Sequence, residues 1–120
     1  MQVISMIVND QFGVMQRVMG EFTRKKINVE TIVVGKCELA GKARVVLTVL
    51  GMDQAKLAVE RLERMHDIFE IDILDETRHE AYALVTNEGG KARLIGSIPE
   101  VTKLIDAMKP EKYIEAVNAL

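Results

Sequence analysis

Residues 2–35 read QVISMIVNDQFGVMQRVMGEFTRKKINVETIVVG, and the spacing of their apolar side chains decides the fold. Val3, Ile4, Met6, Ile7 and Val8 form a short apolar run closed by Asn9 and Asp10, the pattern of a buried strand that ends in a turn. Val14, Met15, Val18, Met19 and Phe22 then fall at i, i+1, i+4, i+5 and i+8. They line one stripe of a helix over 13–25, whose other side carries Gln16, Arg17, Arg24 and Lys25 toward water. Asn28 breaks the helical period, and the β-branched run from Val29 to Val34, stopped by Gly35, reads as a second strand.

Working outward, Ala43 to Leu50 repeats the strand pattern and stops at Gly51, with the polar, Gly41-containing stretch 36–42 as a hairpin loop. Asp53 is a plausible N-cap for a helix running to about Arg64, since Ala55, Ala58, Val59, Leu62 and Met65 recur with helical period. Phe69 to Ile73 alternates with period two, giving a strand with one wet and one buried face. The order through Leu74 is therefore β-α-β-β-α-β. This is the α+β, ferredoxin-like arrangement of two helices on one face of a four-stranded antiparallel sheet.

After the charged connector Asp75 to Glu80, Ala81 to Thr86 reads as a fifth strand, 87–90 as a turn and Ala92 to Ile95 as a sixth strand. Ser97 and Glu100 have capping-box spacing around Pro99, opening a third helix that carries Val101, Leu104, Ile105 and Met108. Pro110 restarts a last short helix carrying Ile114, Val117 and Leu120. The expected organisation is one domain over 1–75 and a short mixed α/β appendage over 76–120, made of a strand or hairpin and two short helices.

Composition narrows the function. The 120 residues are 48% hydrophobic and 28% charged, the balance of an ordinary globular domain, with a formal charge of -2. No basic footprint for nucleic acid or an anionic membrane is present, and no apolar run approaches the ~20 residues of a membrane span. Cys37 is the single cysteine; with His66 and His79 it offers no zinc-binding spacing, so no metal and no cofactor are expected, and a reduced thiol suits a cytoplasmic setting. No P-loop, G-x-G-x-x-G or H-E-x-x-H occurs, and His66 and His79 read as solvated or capping side chains, so no enzyme is expected. A phosphate-cleaving hydrolase on this fold needs an arginine in the loop after the first strand, where this chain has Asp10. An RNA binder needs exposed aromatics on the central strands, and 29–34 and 43–50 contain none.

The informative segment is Asn9 to Val14. A helix N-terminus has unpaired N–H groups and the positive end of the macrodipole, and Gly13 has no Cβ to block approach, so a carboxylate can bind there. Asp10 and Asn28 are candidate acceptors for an ammonium group, brought together when a second subunit contributes one of them, which places an amino-acid site between subunits. The same residues also read as a helix cap (Asp10) and a turn (Asn28).

The stretch Gln2 to Leu74 resembles ACT domains, and among them the small regulatory subunits of acetolactate (acetohydroxyacid) synthase. The residues that carry the likeness are Asp10 to Val14 for a [DN]-x-x-G-[VA] loop and Arg17-Val-Met-Gly-Glu-Phe22 for R-V-x-G-x-F. They continue with Ile27-Asn-Val-Glu-Thr31 after a basic turn, and Val34-Gly35 at the end of the second strand. The resemblance implies a non-catalytic regulatory module that dimerises edge to edge, binds a branched-chain amino acid such as valine, leucine or isoleucine at the interface, and tunes a catalytic large subunit. It implies that Asp10, Gly13 and Asn28 hold the ligand. The carboxylate would lie on the amides after Phe12, the ammonium on Asp10 and Asn28, and the side chain against Val14 and Met15. The expected ligand set is therefore Asp10, Phe12, Gly13, Val14 and Asn28. An apolar, uncharged strand such as Thr31 to Val34 is an association liability at a sheet edge, so at least a homodimer is expected. The alternative is an ACT-fold assembly module that has lost its ligand and docks another protein through its C-terminal tail.

Overall fold

A computed structural model describes residues 1–75 and 78–120; residues 76 and 77, in the middle of the expected charged connector, lie outside the described part. Strand β1 (Gln2–Asn9) lies between β3 (Lys42–Val49) and β4 (Ile68–Leu74), and β2 (Val29–Lys36) pairs with the outer side of β3. The order β2-β3-β1-β4 is antiparallel at every pairing and is the ferredoxin-like sheet. Ile4, Met6 and Val8 of β1 and Ala43, Val45, Leu47 and Val49 of β3 share one face. Against them pack Val14, Val18 and Phe22 of helix α1 (Val14–Arg24) and Ala55, Ala58 and Leu62 of helix α2 (Met52–Leu62). The period-3.6 stripe and the period-2 stripes thus meet in one core, each large side chain there stabilising by roughly 1.5–3 kcal/mol.

Helix α2 starts two residues earlier than an Asp53 cap implies. Gly51, at φ 79°, makes the turn into the helix without a side-chain cap, and Asp53 sits in the first turn, where its charge complements the helix dipole. At the start of β2 the register against β3 shifts between Val29 and Thr31. The Thr48 hydroxyl, fully buried, accepts from the Thr31 amide at 3.0 Å and shares a 2.8 Å hydrogen bond with the Thr31 hydroxyl. This bulge bends the chain just after Asn28.

A second, three-stranded sheet in the order β6-β5-β7 follows, built from β5 (His79–Asn87), β6 (Gly90–Gly96) and β7 (Lys112–Ala119), with helix α3 (Ile98–Met108) between β6 and β7. The capping reading holds here: Ser97 Oγ accepts from the Glu100 amide at 3.3 Å. The last short helix does not form; β7 occupies its place. Lys109 is left-handed and closes α3, and the Glu111 amide donates to Thr86 O, which starts the ladder with β5. Ile114 and Leu120, two members of the presumed helical stripe, are exposed, whereas Val117 and Ala119 turn inward at strand period. Partner pairing overrides a three-residue spacing that fits a helix by coincidence. Val117 and Ala119 bury against Val3, Val46 and Leu74, so the second sheet covers part of the first sheet's helix-free face. Among the described residues no helix is long and apolar enough to cross a membrane.

Leu47→Ala, at a fully buried position, is expected to lower unfolding stability by about 2–5 kcal/mol in a urea titration, through lost burial and the cavity left behind. Phe12→Ala, where the ring is fully exposed, is expected to stay within about 0.5 kcal/mol of the parent.

Candidate ligand-binding loop

The loop 10–13 hangs from β1 and turns into α1 at Gly13, which takes φ 85° as the helix N-cap. No side chain caps this helix and its first turn holds no acidic residue; the Val14 amide donates to Gln11 O at 3.3 Å, and the Met15 and Gln16 amides are left to other acceptors. Asp10 therefore does not cap α1. Its amide instead donates to Gly41 O at 2.9 Å, tying the loop to the β2–β3 hairpin, which a fork from Arg44 to Glu38 at 2.8 and 3.0 Å braces. The Asn9 amide donates to Asp67 O at 3.0 Å, and Lys42 Nζ donates to Asn9 Oδ1 at 2.6 Å while lying 5.3 Å above the Phe69 ring.

The expected ligand residues separate into two groups. Asp10, Phe12, Gly13 and Val14 share the loop and the first residue of α1. Phe12 extends fully into solvent, and Val14, 1% exposed, belongs to the core, so Val14 presents no side-chain surface there and Met15, half-buried, is the adjacent apolar group. Asn28 lies at the other end of the sheet. Val29 and Gln2 are both paired to Val49, whereas Asp10 follows Asn9, which is paired to Lys42. The eight residues of β1 separate the two ends by about 25 Å. At its own end Asn28 Nδ2 donates to Glu30 Oε1 at 3.0 Å.

The helical period predicts Arg17 facing water and assigns Asp67 no role. Asp67, 2% exposed, is the buried charged side chain among the described residues, and Arg17 donates to it from Nε at 2.8 Å and from Nη2 at 3.1 Å. These hydrogen bonds hold the Asp67 carboxyl below the usual carboxylate range against the opposing effect of burial, and raise the Arg17 pKa. His66 Nε2 stands 3.7 Å from Asp67 Oδ1 on the solvent side. A Cβ added to Gly13 would lie 3.1 Å from Arg17 Nη1, so the guanidinium sits directly over the glycine. One signal for this is in the sequence: Arg17 follows Gly13 by four residues, and helical side chains lean toward the N-terminus.

The family model described as an AHAS small subunit-like ACT domain matches residues 4–70. A protein named probable acetolactate synthase small subunit from Methanothermobacter thermautotrophicus is 35% identical over 74 residues, covering 61% of this chain and 44% of its own length. The acetolactate synthase small subunit of Haemophilus influenzae is 26% identical over 110 residues, covering 90% of this chain and 66% of that one. This chain thus spans less than two thirds of the length of each. The crystal structure of an acetolactate synthase small subunit from Thermotoga maritima superposes with a TM-score of 0.79 at 20% identity, over 99% of this chain and 95% of that one. The shared fold thus includes the second sheet.

Gly13→Ala is expected to lower stability by about 1–2 kcal/mol, because the left-handed backbone disfavours any Cβ and this one meets Arg17; urea unfolding reads it. Asp67→Asn is expected to destabilise the fold at neutral pH. Because the folded carboxyl pKa is depressed, the bridge contributes above the unfolded value near about pH 4 and is lost as pH falls through the lower folded value. The stability gap between parent and Asp67→Asn therefore narrows on acidification, as measured by unfolding at pH 7 and below pH ~3.

Proposed function

The chain belongs to the AHAS small subunit-like ACT domain family, and from that premise we propose a non-catalytic, cytoplasmic regulatory module that binds a branched-chain amino acid between two copies of itself. It tunes a partner biosynthetic enzyme such as the catalytic large subunit of acetolactate synthase. The observation that carries this reading is the position of Asn28 relative to Asp10. They stand at opposite ends of one sheet, with the open edge of β2 alongside.

Antiparallel pairing of β2 with its copy reverses one chain's ends against the other's, so Asn28 of the partner subunit comes to the end of the sheet that holds Asp10 and Gly13. The edge is suited to it. Ile32 and Val34 are 40% and 50% exposed on the helix side of β2, beyond the cover of the two helices, and a second copy buries them. The amino acid then rests its carboxylate at the uncapped α1 N-terminus, its ammonium on Asp10 and on Asn28 of the partner subunit, and its side chain near Met15. A ligand that bridges two subunits favours the conformer in which they fit it best. The resulting coupling to a bound enzyme is typically about 1–3 kcal/mol.

A second reading is favoured by the three-stranded sheet's face turned away from α3. There Leu84, Ile95 and Ile114 are 43%, 60% and 69% exposed, as an assembly module docking through residues 76–120 would have it.

Calorimetric titration with valine, leucine and isoleucine, with the oligomer mass followed in parallel, tests the proposal. Saturable binding to a dimer is expected, and the double variant Asp10→Ala with Asn28→Ala is expected to bind none while melting within a few degrees of the parent. An intact dimer that takes up none of the three ligands favours the assembly module. Ile32→Lys is expected to yield monomers by light scattering, since a charge on the β2 edge opposes strand addition; a dimer that persists places the interface elsewhere.

A further inference from the structure

We propose that Arg17 is the residue that receives the carboxylate of the bound amino acid, donating from Nη1 above Gly13, and that Asp67 is the positioning residue that holds the guanidinium there. The inference rests on the reading that an amino acid binds at this loop, and it names the group that orients it.

A cation in the first turns of a helix is placed against the helix dipole, which favours anions at that end. Arg17 is held in that position by a side-on fork. Nε and Nη2 are both committed to the buried carboxylate of Asp67, which leaves Nη1 as the free end of the group, lying over the Cα of Gly13. The same 3.1 Å approach means that a Cβ at position 13 would press on the guanidinium and shift it by a few tenths of an ångström. Gly13 is thus favoured by its positive φ, and its lack of a Cβ leaves room for the close approach of Arg17. The side chain remains 49% exposed and accessible from solvent, while Asp67 is almost fully buried and inaccessible to an ammonium group.

The other charges around the loop have different assignments. Lys42 is engaged with Asn9 and stacked on Phe69. Asp10 is exposed and is the anion left for the ammonium, and His66 lies on the outer side of Asp67. An anion arriving at Gly13 meets the first-turn amides and Nη1 together, a charge-assisted pair of donor sets suited to a carboxylate. The selectivity that follows is for free α-amino acids over the corresponding amides.

Calorimetric titration of the full chain with L-valine and with L-valinamide, for the parent and for Arg17→Gln, tests this. The parent binds valine more tightly than valinamide. Arg17→Gln is expected to lose about 10- to 100-fold in valine affinity and to leave valinamide affinity unchanged. Should Arg17→Gln not fold, Arg17→Lys keeps the charge and one bond to Asp67, and it is expected to lose about tenfold for valine alone. Equal losses for both ligands would assign Arg17 a structural role only and overturn the proposal. Undiminished valine affinity in Arg17→Gln would also overturn it while leaving the site in place. A parent that binds neither ligand would remove the site reading itself, and this inference with it.

Discussion

Strand β3 is the shared antiparallel neighbour of β1 and β2, and that single pairing arrangement makes β1 and β2 run parallel. Everything proposed for the site follows from it. The loop that leaves β1 and the corner that enters β2 are forced to opposite ends of the sheet, with the 11-residue helix α1 spanning the distance between them. No side-chain rearrangement within one chain closes a gap of about 25 Å. In the proposed dimer a two-fold partner at the β2 edge would close it, because an isologous interface presents each chain's far end to the other's near end.

At the loop, backbone and charge work together. The left-handed Gly13 ends β1's excursion and opens α1 without a capping side chain, leaving donors for a ligand. The pair of Arg17 and Asp67 then links α1 to the start of β4, so the loop is held on one side by the Asn9–Asp67 backbone bond and on the other by the Asp10–Gly41 bond. The proposed intersubunit site would gain from such preorganisation, since a loop already tied on both sides loses less freedom on binding.

How much of this was legible in the sequence depends on the range of the interaction involved. The stripe of Val14, Val18 and Phe22 and the alternation in β1 and β3 are local patterns, and they led directly to the β-α-β-β-α-β sheet. Ser97 and Glu100 are three residues apart and their cap was equally readable. In the segment after Pro110, Ile114, Val117 and Leu120 fit a helical spacing, while the pairing that makes it a strand is with β5, more than twenty residues away. Arg17 and Asp67 are 50 residues apart, so no local pattern shows that they pair; the four-residue spacing of Arg17 after Gly13 is the one local sign that its side chain reaches over the loop. Position 17 looked like one more solvated charge on a helix. Asp10, Gly13 and Asn28 stand out as candidates through their resemblance to the ACT-domain motifs, since local pattern alone also reads Asp10 as a helix cap and Asn28 as a turn.

The claim at the centre of this account is that one site is built from two chains, and mixing two disabled variants tests it most directly. Asp10→Ala and Asn28→Ala dimers each lack half of every site and are expected to bind no valine. When the two are unfolded together and refolded as a mixture, each hybrid dimer pairs an intact Asp10 with an intact Asn28 across one interface. About a quarter of the parental binding capacity should therefore return at parental affinity. If hybrids form and no binding returns, or if either single variant binds as the parent does, the site does not span the two chains.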